Sequence, residues 1–350
     1  MFDTAAFEGH ESVHLFHDED TGLRAIIALH STALGPAAGG CRMWDYADSH
    51  AMLRDALRLS QGMSFKNAMA DLPLGGGKAV IWGNSKTDKT PELFRAFGRA
   101  VESLDGKYWT AEDVGLTPTD LAYSREETRY VAGLNEGVAA SGDPSPVTAE
   151  GVFRGIGAAV TSAFGSDDLT GRSVAVQGVG HVGADVVRKL CEAGAKVLIA
   201  DINAEAIARL ADETGAEPVD VNEILFQAVD VVSPNALGGI INEQTLEKFQ
   251  CRVIAGGANN QLSVPEMGDA LKRKNILYAP DYVINGGGII NVAAEISGNY
   301  DRDWVAGKLD TLMNTLAEVF ERAESEGRAT NRIADDMARA RISAGKVKRK

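Results

Sequence analysis

Between residues 174 and 201 the chain reads strand, glycine turn, helix, strand, acid. Val174-Ala-Val176 runs into Gly178-Val-Gly-His-Val-Gly183. A helical stretch follows to Ala193, Lys196-Val-Leu-Ile-Ala200 is again a strand, and Asp201 closes it. The spacing specifies a βαβ unit. Gly178 allows a tight turn, Gly180 lets the backbone approach a pyrophosphate, and Gly183 lets helix and strand pack closely. The helix N-terminus presents N–H groups and a partial positive charge to phosphates. A carboxylate about twenty residues on accepts hydrogen bonds from a ribose 2′-OH and repels a 2′-phosphate. The pattern therefore predicts a dinucleotide, NAD rather than NADP, on Gly178, Gly180, His181, Val182, Gly183 and Asp201. The competing reading is a non-binding domain whose glycines serve packing only.

The unit sits within a longer alternation. Helices are expected at Thr148–Phe164 and Asn203–Asp212, and short apolar strands at Val229–Val232, Arg252–Ala255 and Ile276–Ala279. Strands alternating with helices specify a parallel, doubly wound sheet. The first half is mixed. Arg24–His30 suits a buried strand, and Ser49–Met63 carries apolar residues at helical spacing. Lys78-Ala-Val-Ile-Trp82 reads as a strand after three glycines. Thr90-Pro91 reads as an N-cap and first-turn proline. The Gly/Pro/Ser-rich stretch Ser141–Val147 is the expected hinge, stiffened by Pro144 and Pro146. At 350 residues, two domains are the default.

Composition excludes several classes. A net charge of −14 disfavours nucleic acid. No stretch approaches the ~18–20 apolar residues of a membrane span. The N-terminus lacks a basic region and an apolar run, so no signal peptide is expected. Three widely spaced cysteines fit neither a disulfide framework nor a zinc site. No metal is expected, and a reducing, cytoplasmic setting follows. The basic tail Lys346–Lys350 reads as a solvated terminus.

Chemistry-bearing residues cluster in the first half. Lys66 lies beside Met63 and Phe65, where an apolar helix ends. Lys78 follows Gly75-Gly-Gly77, which would leave room for a ligand against the backbone. Gly39-Gly40, after Pro36-Ala-Ala38, could do the same. Asp113, in Tyr108-Trp-Thr-Ala-Glu-Asp113, ends an expected strand. A carboxylate near two ammonium groups would balance a buried charge cluster. Each of these residues also admits a purely structural role: a surface charge, a cap, a turn.

MSFKNAMADLPLGGGK, TAEDVG, GVGHVG, AGGANNQL and APDYVINGGG, in this order, resemble the leucine, phenylalanine and valine dehydrogenases of the wider glutamate dehydrogenase superfamily. The resemblance spans roughly residues 10 to 340. It implies an α/β chain with an N-terminal mixed-sheet domain for substrate binding and oligomerisation at 1–140, joined again by C-terminal helices at 326–350. A Rossmann-type doubly wound NAD domain at 141–325 and an active site in the cleft complete the layout. It implies NAD-dependent, reversible oxidative deamination of an L-amino acid to a 2-keto acid and ammonia, in a homo-oligomer.

By motif position, Lys66 would bind the substrate carboxylate with the Gly39-Gly40 backbone. Lys78 would activate the water that attacks the imine carbon, and Asp113 would exchange a proton with the substrate nitrogen. Asn259 or Asn260 would lie near the nicotinamide ribose, and Thr148 near its carboxamide. A lysine serves as base near neutral pH only if its proton is weakened, which a second ammonium and desolvation on closure would do.

Ala38 stands where glutamate dehydrogenases carry a lysine, and a methyl cannot compensate a second buried carboxylate. Glutamate is thus disfavoured. Ala38, Ala111, Ile289 and Val292 would line an apolar side-chain pocket. Ala111 matches leucine enzymes and small Ala38 some phenylalanine enzymes, so a branched-chain substrate is expected first and phenylalanine second. Departures from the pattern are Asn235 for a frequent cysteine, Ala294 for a frequent acid, and the glycine-rich Asn285-Gly-Gly-Gly288. The other readings are a hydroxy-acid dehydrogenase, for which no histidine has a catalytic context, and a non-catalytic NAD-binding protein.

Overall fold

The computed structural model describes residues 2, 4–134, 143–298 and 300–349, with residues 348 and 349 described by backbone alone. Ser141 and Gly142 of the expected hinge lie outside the described residues. The chain divides into two compact units. One comprises Met1–Asp143, Ile289–Val305 and Ala338–Lys350, the other Pro144–Gly288 and Ala306–Met337.

The first unit holds a mixed sheet of β1 (Ser12–Asp18), β2 (Leu23–Ser31), β3 (Ala37–Ala38), β4 (Cys41–Trp44), β5 (Gly75–Trp82) and β6 (Tyr108–Trp109). Its order is β1-β2-β5-β3-β6, with β4 also on β5. β1 and β5 run antiparallel to β2; β3 and β4 run parallel to β5. Both faces are covered. Ile27 and Ile81 pack with Phe94 and Phe97 of α2 (Pro91–Glu102). Ile26, Ala28 and Val80 pack with Met52 and Leu57 of α1 (Ser49–Met69). Burial on both faces is why β2 reads as a continuous apolar run rather than an alternating one. Thr90 caps α2 through the Leu93 N–H at 3.1 Å, with Pro91 in the first turn, as the sequence predicts. α3 (Pro118–Arg125) follows and carries a capping box of Thr117 and Asp120.

Two local expectations change. α1 continues to Met69, so Lys66 lies within the helix. The three glycines belong to β5 instead of preceding it. A Cβ on Gly76 would strike the Ser64 backbone of α1, and one on Gly77 the Tyr108 ring at 2.8 Å. The glycines let α1 and Tyr108 press onto the strand.

In the second unit β7 (Ser173–Gln177), β8 (Lys196–Ala200), β9 (Glu217–Pro218), β10 (Val231–Pro234), β11 (Val253–Ile254) and β12 (Leu277–Tyr278) form one sheet, ordered β12-β11-β10-β7-β8-β9. All its pairings are parallel. The order reverses between β7 and β10, the switch point beyond whose strand ends such sheets bind ligands. Helices α4 (Ser145–Phe164), α5 (His181–Glu192), α6 (Ala204–Thr214), α7 (Glu243–Leu246), α8 (Glu266–Arg273) and α9 (Asp281–Ile284) connect the strands. α4 starts at Ser145, so Pro146 sits in its first turn and not in an extended hinge. α10 (Gly287–Ile296), α11 (Arg302–Ser325) and α12 (Thr330–Arg349) close the chain. No helix among the described residues is long and apolar enough to cross a membrane.

Candidate active site

Strand β5 has β3 beside its first residues and β4 beside its later ones. Ala38 pairs with Gly76, and Cys41 with Ala79. The chain steps from β3 to β4 through Gly39-Gly40. A Cβ on Gly39 would strike the Gly77 carbonyl, and one on Gly40 would meet Asp113 Cβ at 2.9 Å. The chain's own neighbours therefore require these glycines. The Gly39 N–H donates to the Trp109 carbonyl at 3.1 Å, and its carbonyl accepts from the buried Tyr108 hydroxyl at 2.6 Å.

This tight junction sets Lys78 beside Asp113. Lys78 is 5% exposed, and its ammonium forms an ion pair with Asp113 Oδ2. Asp113 Oδ1 accepts from the Val114 N–H at 2.7 Å. Arg42, on β4, brings a second cation to 3.7 Å from Oδ2. Burial alone would raise Asp113; the Lys78 charge, then that of Arg42, overrides it and holds the carboxyl at about 2. Burial pushes the neighbouring Cys41 thiol and Tyr108 phenol well up, so both stay neutral.

Lys66 is half-buried near the end of α1. Its neighbour Asn67 is wholly buried and donates to the Gly75 carbonyl at 2.5 Å, tying that turn to β5. Ala38 and Ala111 are both buried, and the Ala111 carbonyl accepts from the Cys41 N–H at 2.8 Å. Lys78, Asp113, Gly39, Gly40, Ala38 and Ala111 are thus gathered where β3, β4 and β5 meet. Ile289 and Val292 lie on α10, three residues apart and so on one helix face. In the same unit, Glu295 of α10 accepts from the Gly133 N–H at 2.9 Å. Sequence reasoning missed Arg42, Glu295 and Asn67. Arg42 follows the glycine pair by two residues, which is the signal that could have drawn attention to it.

In the second unit Gly178 adopts φ +88°, which favours glycine, and donates to the Ala200 carbonyl at 2.8 Å. A Cβ on Gly183 would strike the Gly178 carbonyl, while one on Gly180 would meet nothing within 4 Å. Open space lies where a pyrophosphate would approach. Gly180 is the N-cap of α5, and no side chain caps that terminus. Asp201 accepts from the Val179 N–H at 2.8 Å and the Asn203 N–H at 2.9 Å, so it also shapes the turn. A carboxylate has about four acceptor positions, which leaves capacity for a ribose hydroxyl. Ile202, beside it, is 93% exposed. These residues fit a dinucleotide.

At the end of β10, Asn235 accepts from the Gly257 N–H at 2.8 Å and donates to the Ser233 carbonyl at 3.0 Å. A Cβ on Gly257 would meet Asn235 Oδ1 at 2.9 Å, Val152 Cγ2 at 3.2 Å and Val182 Cγ1 at 3.4 Å. Asn235 therefore braces the loop that carries the exposed Asn259 and Asn260. Asn259 Oδ1 accepts from the Asn285 side chain at 2.7 Å, and Asn260 sits at φ +53°. Thr148, in the first turns of α4, donates to the Pro144 carbonyl at 3.0 Å.

Residues 10–130 match the family model described as Glu/Leu/Phe/Val dehydrogenase, dimerisation domain. Residues 199–345 match the one described as Glutamate/Leucine/Phenylalanine/Valine dehydrogenase. A leucine dehydrogenase of Geobacillus stearothermophilus is 50% identical over 333 residues, covering 95% of this chain and 90% of that one. A phenylalanine dehydrogenase of Bacillus thermotolerans is 44% identical over 340 residues, covering 96% and 89%. The crystal structure of L-tryptophan dehydrogenase from Nostoc punctiforme superposes with a TM-score of 0.86 at 43% identity, covering 97% of each chain.

Proposed function

The chain belongs to the Glu/Leu/Phe/Val dehydrogenase family and is an amino-acid dehydrogenase, an oxidoreductase acting on a CH–NH2 group; from that premise we propose that it uses NAD and reversibly deaminates a branched-chain L-amino acid such as leucine. The single observation that carries this reading is the buried ion pair of Lys78 and Asp113 beside the Gly39-Gly40 junction. NAD, when bound, would supply the acceptor for the hydride that leaves the substrate Cα. The protein's part is to orient the substrate and manage protons. Lys66 binds the substrate carboxylate. Both polar groups of Gly39 are engaged within the protein, which moves the proposed backbone contact toward Gly40. Asp113 exchanges a proton with the substrate nitrogen. Lys78 takes a proton from the water that attacks the imine carbon, and in the reverse direction returns it.

Ala38, Ala111, Ile289 and Val292 are proposed to line the side-chain pocket. Ala38 is 1% exposed and offers a methyl and no cation, which opposes a second carboxylate. The same small residue favours phenylalanine as the second reading. Gly178, Gly180, His181, Val182 and Gly183 would carry the pyrophosphate and Asp201 the adenosine ribose. Thr148 and Asn259 or Asn260 would serve the nicotinamide end. The unit built on β7 to β12 is then the dinucleotide domain, and the unit built on β1 to β6 the substrate domain. We also propose a homo-oligomer, since residues 10–130 match a domain described by dimerisation. Light scattering should return a multiple of the chain mass; the monomer mass would contradict this. All three cysteines are unpaired, which fits a reducing, cytoplasmic compartment.

NADH formation from NAD with L-leucine, L-valine, L-isoleucine, L-phenylalanine, L-glutamate and 2-hydroxy acids tests the reading. The expected order is branched-chain above phenylalanine, with glutamate and hydroxy acids inert. A rate highest with glutamate or a hydroxy acid would overturn it.

A further inference from the structure

The ion pair of Lys78 and Asp113 is one end of a longer chain of charge. Arg42 stands between two carboxylates. Its Nη2 is 3.7 Å from Asp113 Oδ2, and its Nη1 is 3.1 Å from Asp55 Oδ2 and 3.4 Å from Asp55 Oδ1. Asp55, on α1, accepts in turn from the Tyr46 hydroxyl at 2.8 Å. Tyr46 is buried, and burial followed by the Asp55 charge pushes its phenol up, so it remains a donor. Arg42 itself is set by β4, where it pairs with Val80, two residues beyond Lys78 on β5.

The proposed chemistry explains why a second cation is needed. Lys78 can act as a base only in its uncharged form. In that form it no longer neutralises Asp113, whose side chain is 17% exposed. An uncompensated carboxylate there would capture a proton or turn toward solvent. A guanidinium does not deprotonate in this pH range. We propose that Arg42 is a positioning residue of this site: fixed by Asp55 and Tyr46, it keeps Asp113 oriented toward Lys78 while Lys78 has given up its own charge. The inference rests on the reading of Lys78 and Asp113 given above. Among the described residues, Cys41 on β4, Tyr108 on β6 and the adjacent Glu112 also interact electrostatically with Asp113. Cys41 and Tyr108 stay neutral, and Glu112 adds negative charge; none of them can replace the cation.

The test uses the full-length enzyme with Arg42→Met, Arg42→Lys and Asp113→Asn. It measures kcat, KM for L-leucine and the pH profile of kcat/KM. Arg42→Met should lower kcat by about 10- to 100-fold, as loss of alignment does, with KM changed less than about twofold. Its acidic limb should move up by about half to one pH unit, because a fixed positive charge has left the pair. Arg42→Lys should restore the limb and only part of kcat, since an ammonium keeps the charge without the fork. If Arg42→Met does not fold, Arg42→Gln, which retains a hydrogen bond to Asp55, carries the same expectation. An unmoved limb in the neutral variant, with Arg42→Lys no better than it, would overturn the inference even if kcat fell. Near-normal turnover of Asp113→Asn would instead overturn the underlying reading of the pair.

Discussion

Asp201 has one observed job and one proposed job. Its carboxylate holds the glycine turn through the Val179 and Asn203 amides, and its remaining acceptor capacity is proposed to read the ribose. Asp201→Ser should therefore separate two effects. Stability should fall by about 1–2 kcal/mol, from the loss of charge-assisted hydrogen bonds. The preference for NAD over NADP should shrink at least about tenfold, because the group that repels a 2′-phosphate is gone. Initial rates with both cofactors, beside urea unfolding, check both; an unchanged cofactor ratio would remove Asp201 from the ribose. At this scale much was legible. Gly178, Gly183 and Asp201 sit where the spacing predicts, because a turn between strand and helix is a local matter. Arg42, on β4, was not legible, because the carboxylates it meets, Asp55 and Asp113, reach it from a helix and a loop outside its own strand.

The glycines of β5 mark what a sequence hides at the level of elements. Gly75-Gly-Gly77 reads as preceding the strand, with room for a ligand, yet it is strand, and the space over Gly76 and Gly77 is filled by Ser64 of α1 and by Tyr108. Only the packing of α1 on the sheet reveals that. The same helix rests on two buried histidines. His30 Nδ1 is 2.7 Å from Ser64 Oγ, and His10 Nε2 is 3.0 Å from the Leu57 carbonyl, with the two rings 4.8 Å apart. Burial, then the neighbouring His10, pulls His30 down to about 4. The unfolded imidazole takes a proton near pH 6.5, and the folded one refuses it until about 4. Between those values the unfolded chain binds more protons, so stability falls as pH drops from about 6.5 to 4 and is unaffected above. The His30 share is on the order of 3 kcal/mol, at about 1.4 kcal/mol per pH unit. Urea unfolding of the protein and of His30→Gln at pH 7 and pH 4.5 should show a smaller pH loss in the variant. Equal losses would mean that His30 does not resist protonation.

Over the whole molecule, the alternation of strands and helices after residue 170 was enough to specify a parallel sheet, and β7 to β12 form one. The mixed sheet of the first unit was legible in β2, in the later half of β5 and in β6, which covers only Tyr108–Trp109 of the strand expected to run to Asp113. β3 and the glycine step between β3 and β4 are too short to leave a periodic signal. That step nevertheless places Lys78 against Asp113, the feature on which the proposed chemistry turns. The most direct test is turnover of Lys78→Met with NAD and L-leucine, beside thermal unfolding and NAD binding of the same protein. The account predicts a folded variant that binds NAD as before and forms NADH slower by at least about a thousandfold, the scale of losing a general base. Turnover within about threefold of the unmodified enzyme, on that same scale, would contradict it.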